Sequence, residues 1–204
     1  MKLYGSLTSP FVRKVRIVLL EKQLPYEMVV EGPVDAAGNV ARLNPLRAIP
    51  VLERDDGEVY FDSIVICEYL DSLNDNPRLY PAGGEPRWQA LRWHALGQGM
   101  MEATVARFVE LRKPADKQDG TTAAKHEARI AQALAFADER VPAAGFIQSK
   151  TIGIADIALG TALGYIDLRY ARDWRGKYPK LAAWFAPISQ RPSFTETLAP
   201  ELKK

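Results

Sequence analysis

Two places in this chain set a polar side chain at the start of a helix. Ser9-Pro10 puts a capping hydroxyl directly before a proline at the first helical position, where the missing N–H costs nothing. Asp62-Ser63 repeats the arrangement further along. A helix start offers unsatisfied N–H groups and the positive end of the dipole, so either place can hold an anion or simply cap its own helix. Between them lies Ile49-Pro50. An X–Pro bond tolerates the cis form at a cost of only ~0.5–1 kcal/mol. Arg47, just upstream, reads equally as a carboxylate partner or a solvated loop arginine.

Other chemistries lack their residues. His94 and His126 fall on different predicted helices without ligand-spaced partners, so no metal is expected. Cys67, the single cysteine, sits among Ile64, Val65, Ile66 and Leu70 and reads as a buried small hydrophobe. One cysteine excludes both an intramolecular disulfide framework and a Cys-x-x-Cys redox pair. There is no Gly-rich phosphate loop. Basic and acidic residues nearly balance, 27 against 25, so neither nucleic acid nor a membrane surface is an expected partner. The basic stretch Arg169, Arg172, Arg175 and Lys177 reads as a solvated face or a pocket rim, and Arg13 and Lys14 as surface charges. The longest apolar run, Ile157 to Ile166, is far short of the ~20 residues that span a bilayer. Met1 leads straight into a candidate strand without a charged-then-apolar leader, and a reduced, cytoplasmic compartment is expected.

The elements that carry these residues follow from periodicity and punctuation. Leu3-Tyr4 is a short strand closed by Gly5-Ser6; the helix after Ser9 carries Val12, Val15, Val18 and Leu19 on one face and ends near Lys22. Tyr26 to Val30 is a second strand, and Gly32 to Leu43 is irregular with room for a short helix. Ile49 to Leu52 and Val59 to Phe61 flank the turn Asp55-Asp56-Gly57 as an antiparallel hairpin, and Asp62-Ser63 starts the next helix. The order β-α-β then β-β-α predicts a parallel pair extended by antiparallel strands, a mixed four-stranded sheet with helices on it. Asn, Pro and Gly mark a linker after this, and all that follows is helical. The spacing predicts a long helix through Trp88 to Phe108 and a second through Ile130 to Val141. A third, apolar on nearly every side, runs from Ile154 to Leu168, a fourth from Lys180 to Ser189, and a short last piece starts at Pro192. The expected division is residues 1–76, a linker at 77–85, and an all-α domain at 86–204.

Three segments together resemble the signature stretches of the cytosolic glutathione S-transferase superfamily. They are Thr8-Ser9-Pro10-Phe11-Val12-Arg13-Lys14-Val15, Asn44-Pro45-Leu46-Arg47-Ala48-Ile49-Pro50-Val51-Leu52 and Phe61-Asp62-Ser63, in the family's order and spacing. The resemblance implies a thioredoxin-like α/β N-terminal domain, an all-α C-terminal domain, and glutathione as co-substrate. Ser9 would then be catalytic, donating to the glutathione sulfur, with Thr8 and Phe11 beside it. Ile49, held by Pro50 in a cis junction, would pair its backbone with the cysteinyl part. Ser63 and Asp62 would hold the γ-glutamyl carboxylate and amino group, and Arg47 the glycyl carboxylate. Many relatives carry Glu where Asp62 stands.

The resemblance further implies an electrophile pocket at Leu7, Phe11, Met100, Met101 and Val105, with Trp174 a further member, and a symmetric homodimer to which Trp88 and Trp93 could contribute. A branch of the superfamily with cysteine in place of Ser9 performs thiol exchange, which serine cannot. Conjugation of a small electrophile is therefore the implied activity. The alternative is a non-catalytic glutathione-binding or protein-interaction module resembling stringent starvation protein A. Finally, Gly153-Ile154-Ala155-Asp156 resembles the family's buried capping box, with Gly153 where Ser or Thr usually stands.

Overall fold

The computed structural model describes residues 1–32, 37–170 and 173–202, and divides the chain into two units. The first comprises Met1–Tyr80 with the chain from Pro192 onward; the second is Pro81–Arg191.

In the first unit, β1 (Lys2–Gly5), β2 (Glu27–Val30), β3 (Val51–Glu53) and β4 (Val59–Tyr60) form one sheet in the order β2-β1-β3-β4. β1 and β2 are parallel, Lys2 opposite Glu27, because α1 (Pro10–Glu21) supplies the crossover between them. β3 runs antiparallel to β1 with Tyr4 opposite Val51, and β4 antiparallel to β3 with Leu52 opposite Tyr60. The mixed sheet is thus the predicted one. α1 and α3 (Ser63–Ser72) pack on each other and bury Val12, Val15, Leu19, Ile66 and Leu70 completely. Each such side chain stabilises the unit by roughly 1.5–3 kcal/mol. A second cluster, Tyr4, Val40 and Val51 with Val29, Leu43, Ile49 and Val59, is completed by α2 (Asn39–Leu43), the short helix for which the sequence left room. Gly5 lets α1 approach β1, since a Cβ there would lie 2.4 Å from a Val12 methyl.

Two expectations need correction. Arg13 and Lys14 are buried, at 7% and 0% exposure, because α1 is covered on almost all sides. Arg13 donates to the Phe194 carbonyl at 3.1 Å and to Thr197 Oγ1 at 3.4 Å, which ties down α8 (Pro192–Glu196). The end of the chain therefore belongs with the first unit and not with the helical one. Residues 77–80 likewise do not behave as a linker. The Lys22 ammonium, fully buried, donates to the Asp71 carboxylate at 2.9 Å, to the Pro77 carbonyl at 2.8 Å and to the Asn74 carbonyl at 2.5 Å. Asp71 in turn accepts from the N–H groups of Leu79 and Tyr80 at 2.8 and 3.0 Å. One ion pair with a saturated set of hydrogen bonds fixes the path of this turn.

In the second unit α4 (Gly84–Leu111), α5 (Gly120–Arg140), α6 (Ile154–Arg169) and α7 (Pro179–Ser189) match the four predicted helices. α6 is buried from Ile154 through Ile166 and packs against α4. Gly97 permits that approach: a Cβ there would meet the Ala158 backbone at 2.6 Å. Trp93, expected at an interface, is core, 5% exposed and tilted against Phe136. At the start of α6, Asp156 Oδ2 accepts from the Gly153 N–H at 2.9 Å, while Oδ1 accepts from Ile147 N–H at 2.8 Å. Glycine has no hydroxyl to return the bond, so the box is half made, as the sequence indicated. Burial pushes the Asp156 carboxyl up to about 6 although these N–H bonds favour its ionised form. No described helix is long and apolar enough to cross a membrane.

Candidate functional site

The sheet decides which loops meet. The C-terminal end of β1, the N-terminal end of β3 and the C-terminal end of β4 lie at one edge, because β3 is antiparallel to both neighbours. The loop Ser6–Ser9, the turn at Ile49-Pro50 and the pair Asp62-Ser63 leave from those three ends. Adjacent strands are about 4.8 Å apart, so the three segments cover roughly 10 Å in a row. α1 and α3 both begin at this edge, and two positive helix ends face the same region.

At the first segment, Ser9 is the N-cap of α1: its Oγ accepts from the Val12 N–H at 3.4 Å, and its carbonyl accepts from Arg13 N–H at 3.0 Å. The capping role uses the oxygen as acceptor. The hydroxyl proton meets no acceptor among the described residues, so it is available to a ligand. Ser6, which the sequence reading passed over, shapes the loop. Its hydroxyl bonds to Thr8 Oγ1 at 2.9 Å and accepts from Thr8 N–H, and its carbonyl accepts from Ser9 N–H at 3.1 Å. Leu7, Thr8, Ser9 and Phe11 are all half-buried.

At the second segment the Ile49–Pro50 bond is cis. Ile49 is half-buried and, among the described residues, its backbone N–H and C=O make no hydrogen bond. The loop before it is built by Asn44, 1% exposed, whose amide donates to the Ala48 carbonyl at 2.8 Å and accepts from Leu46 N–H at 2.9 Å. Arg47 is exposed and held in the left-handed region at φ 50° by its N–H bond to the Asn44 carbonyl at 2.8 Å. That conformation costs an L residue roughly 1–2 kcal/mol, which the Asn44 bonds offset. Asn44 was legible only as a motif letter; its turn-forming chemistry was the available signal.

At the third segment Asp62, exposed, caps α3 by accepting from Ile64 N–H at 2.8 Å, and the Phe61–Asp62 bond is cis. Ser63 is 1% exposed, and its Oγ has no hydrogen-bond partner. A buried hydroxyl left unpaired at a helix start is a donor waiting for an anion. Close by, Cys67 is fully buried; burial pushes its thiol up to about 11, with Lys14 opposing and Asp62 and Asp71 adding. A thiol in that state is no nucleophile at neutral pH.

The remaining sequence-predicted residues lie in the helical unit. Met100 and Met101 are fully buried, with Met100 bordering a cavity of about 350 Å³ between α4 and α5, while Val105 is half-buried further along α4. Trp174 is 5% exposed, donates from Nε1 to Asp167 at 2.8 Å and borders a separate cavity of about 130 Å³ beside Ile130, Leu134 and Ile166. Met101 therefore serves the core rather than a cavity wall. Among the described residues no group of three or more His, Cys, Asp or Glu is arranged to hold a metal ion.

Comparison with known proteins identifies the family. The family model described as glutathione S-transferase, N-terminal domain, matches residues 3–78, and that of the C-terminal domain matches residues 102–186. The GST-like protein YibF of Escherichia coli strain K12 is 34% identical over 202 residues, 98% of this chain and all of that one. A glutathione S-transferase from Methylobacillus flagellatus with bound glutathione superposes with a TM-score of 0.92 at 38% identity, covering 96% of this chain and 98% of that one. A glutathione transferase family member from Pseudomonas fluorescens Pf-5 with bound glutathione has a TM-score of 0.87 at 33% identity, covering 98% of each. With both domains matched in order and both halves of the fold accounted for, the chain belongs to the glutathione S-transferase superfamily.

Proposed function

We propose that this protein is a serine-type glutathione transferase: it binds glutathione along the edge formed by β1, β3 and β4, and its thiolate attacks a small electrophile. The observation that carries the reading is the row of unmet groups at one sheet edge: the Ser9 proton, the Ile49 backbone and the Ser63 hydroxyl. Their roughly 10 Å span suits a tripeptide, which extends at most ~3.3–3.6 Å per residue. The two ends of glutathione then find what their charges need. The γ-glutamyl carboxylate takes Ser63 and the positive end of α3, and its ammonium takes Asp62. The cysteinyl part pairs with the Ile49 backbone as a short strand would, and the glycyl carboxylate takes Arg47.

At the sulfur, Ser9 donates while still accepting from Val12. A free thiol has a pKa of about 8.5 and is mostly protonated at pH 7, whereas a charge-assisted hydrogen bond stabilises the thiolate by about 1.5–3 kcal/mol, or one to two pKa units. The proton leaves to solvent. The sulfur then forms a C–S bond at the electrophilic carbon, and the leaving group departs with the bonding pair. Ile64 and Val65 on α3 and Trp88 on α4, at 37, 48 and 64% exposure, support a symmetric homodimer, which light scattering reads; a cytoplasmic place and the removal of reactive electrophiles complete the proposal.

The test is calorimetric binding of glutathione, the ultraviolet absorbance of bound thiolate against pH, and conjugation of 1-chloro-2,4-dinitrobenzene. Ser9→Ala is expected to raise the pKa of bound glutathione by one to two units and cut turnover about 10- to 100-fold. An unchanged thiolate titration and rate would reduce Ser9 to a helix cap. Tight glutathione binding with no conjugation of any electrophile would instead favour the non-catalytic binding module.

A further inference from the structure

On the helical unit, two guanidinium groups that share one aromatic ring stand without an acid among the described residues. Val105, Phe108 and Arg112 recur at one-face spacing along the end of α4, and Tyr165, Leu168 and Arg169 do so at the end of α6, the helix packed on it. The Arg169 guanidinium lies 4.0 Å from the Phe108 ring centre and 5.4 Å from that of Tyr165, and its Nε donates to the Tyr165 hydroxyl at 3.4 Å. Arg112 reaches the same Phe108 ring at 5.3 Å. The two cations are therefore under about 10 Å apart, within one Debye length, and each raises the cost of the other. Among the described residues no carboxylate pairs with Arg112 or Arg169.

The nearby acids are taken. Glu110 accepts from Lys113 and from Asp119 N–H, Asp167 accepts both guanidinium nitrogens of Arg175 and the Trp174 indole, and Glu127 lies 3.7 Å from Arg107. A cation in the last turn of α6 complements the helix dipole. That role asks only for charge and leaves the side chain free to move in water. Arg169 is instead half-buried and held by two aromatic rings.

From this geometry we propose that the Phe108–Tyr165–Arg169 face recognises a planar, carboxylate-bearing ligand, with Arg169 as anchor and Arg112 as a weaker second contact. The guanidinium fork matches a carboxylate in two parallel bonds, the aromatic rings hold it in the required plane, and Val105 and Leu168 offer apolar surface to the ligand body. The inference stands apart from the transferase reading: it names an aromatic carboxylate as a ligand of this face of the helical unit.

The experiment compares calorimetric binding of 4-nitrobenzoate with that of its neutral amide, 4-nitrobenzamide. The wild-type protein is expected to favour the carboxylate by about 10-fold or more in affinity, a preference that falls with added salt. Arg169→Gln is expected to bring the ratio near one, Arg169→Lys to restore part of it, and the exposed Arg112→Gln to lower it by less. Binding of glutathione to the same variants, unchanged from wild type, shows that they are folded. Equal binding of acid and amide by the wild type, a proportional loss of both in Arg169→Gln, or no nitrobenzoate binding would overturn the proposal.

Discussion

Asn44 touches no expected ligand atom, yet the loop that presents Arg47 and Ile49 hangs on it. Asn44→Ala removes a donor to the Ala48 carbonyl and an acceptor for Leu46 N–H, both made by a side chain that is 1% exposed to partners that are themselves exposed. At a net of about 1 kcal/mol each, with water able to reach the partners left behind, the loss of stability is about 2 kcal/mol. Arg47 keeps its backbone bond to the Asn44 carbonyl, but Leu46 and Ala48 on either side of it are no longer tied, and the loop loosens. If Arg47 and Ala48 must be re-ordered when glutathione binds, at about 1 kcal/mol each, affinity falls roughly 30-fold. Urea unfolding measures the first quantity and calorimetric titration with glutathione, below the unfolding range, the second. Asn44→Asp keeps the acceptor for Leu46 but turns an oxygen toward the Ala48 carbonyl, and is expected to fall between. A variant that loses stability while binding glutathione within two-fold of wild type would refute the reasoning; the loop would then be held by Pro50 and β3 alone.

Two further outcomes follow from packing and charge in the helical unit. Gly97→Ala drives a methyl against the Ala158 backbone, which cannot rotate away, and is expected to lower stability by about 1–3 kcal/mol, whereas Gly120→Ala, with open space around it, should not; the midpoints of urea unfolding compare them. Asp156 titrates near 6 in the folded chain against 3.8 in the unfolded, so between those values the folded state holds the extra proton. Its contribution is greatest below pH 3.8, falls by up to about 3 kcal/mol as pH rises through 6, and is flat above. The stability difference between wild type and Asp156→Asn, followed from pH 4 to 7 by denaturant unfolding, should move that way; parallel curves would count against it.

Much of this protein is written locally. The two helix starts at Ser9 and Asp62, the hairpin around Gly57, and the existence of α4 through α7 were legible because capping, turn chemistry and period act over a few residues, although α4 begins four residues and α5 ten residues before the apolar spacing placed them. So was the burial of Cys67, which follows from its apolar neighbours on one helix. What no window could contain was the choice of partners across the chain. Arg13 and Lys14 read as surface charges since charged residues in a first helical turn usually are; only the packing of α3 and α8 around α1 buries them. The Lys22–Asp71 pair joins residues 49 positions apart and turns a stretch with linker composition into an anchored part of the first unit.

The same division runs through the site. Sequence by itself named the residues proposed for glutathione, through the family resemblance that their types and spacing carry. The tertiary structure decided that they meet at all, since only an antiparallel β3 between β1 and β4 brings the three loops to one edge. It also decided which charges are already neutralised by an opposite charge and which, as at Arg169, have no carboxylate among the described residues. Local chemistry names the groups, and long-range packing determines which of them remain unsatisfied and therefore able to bind.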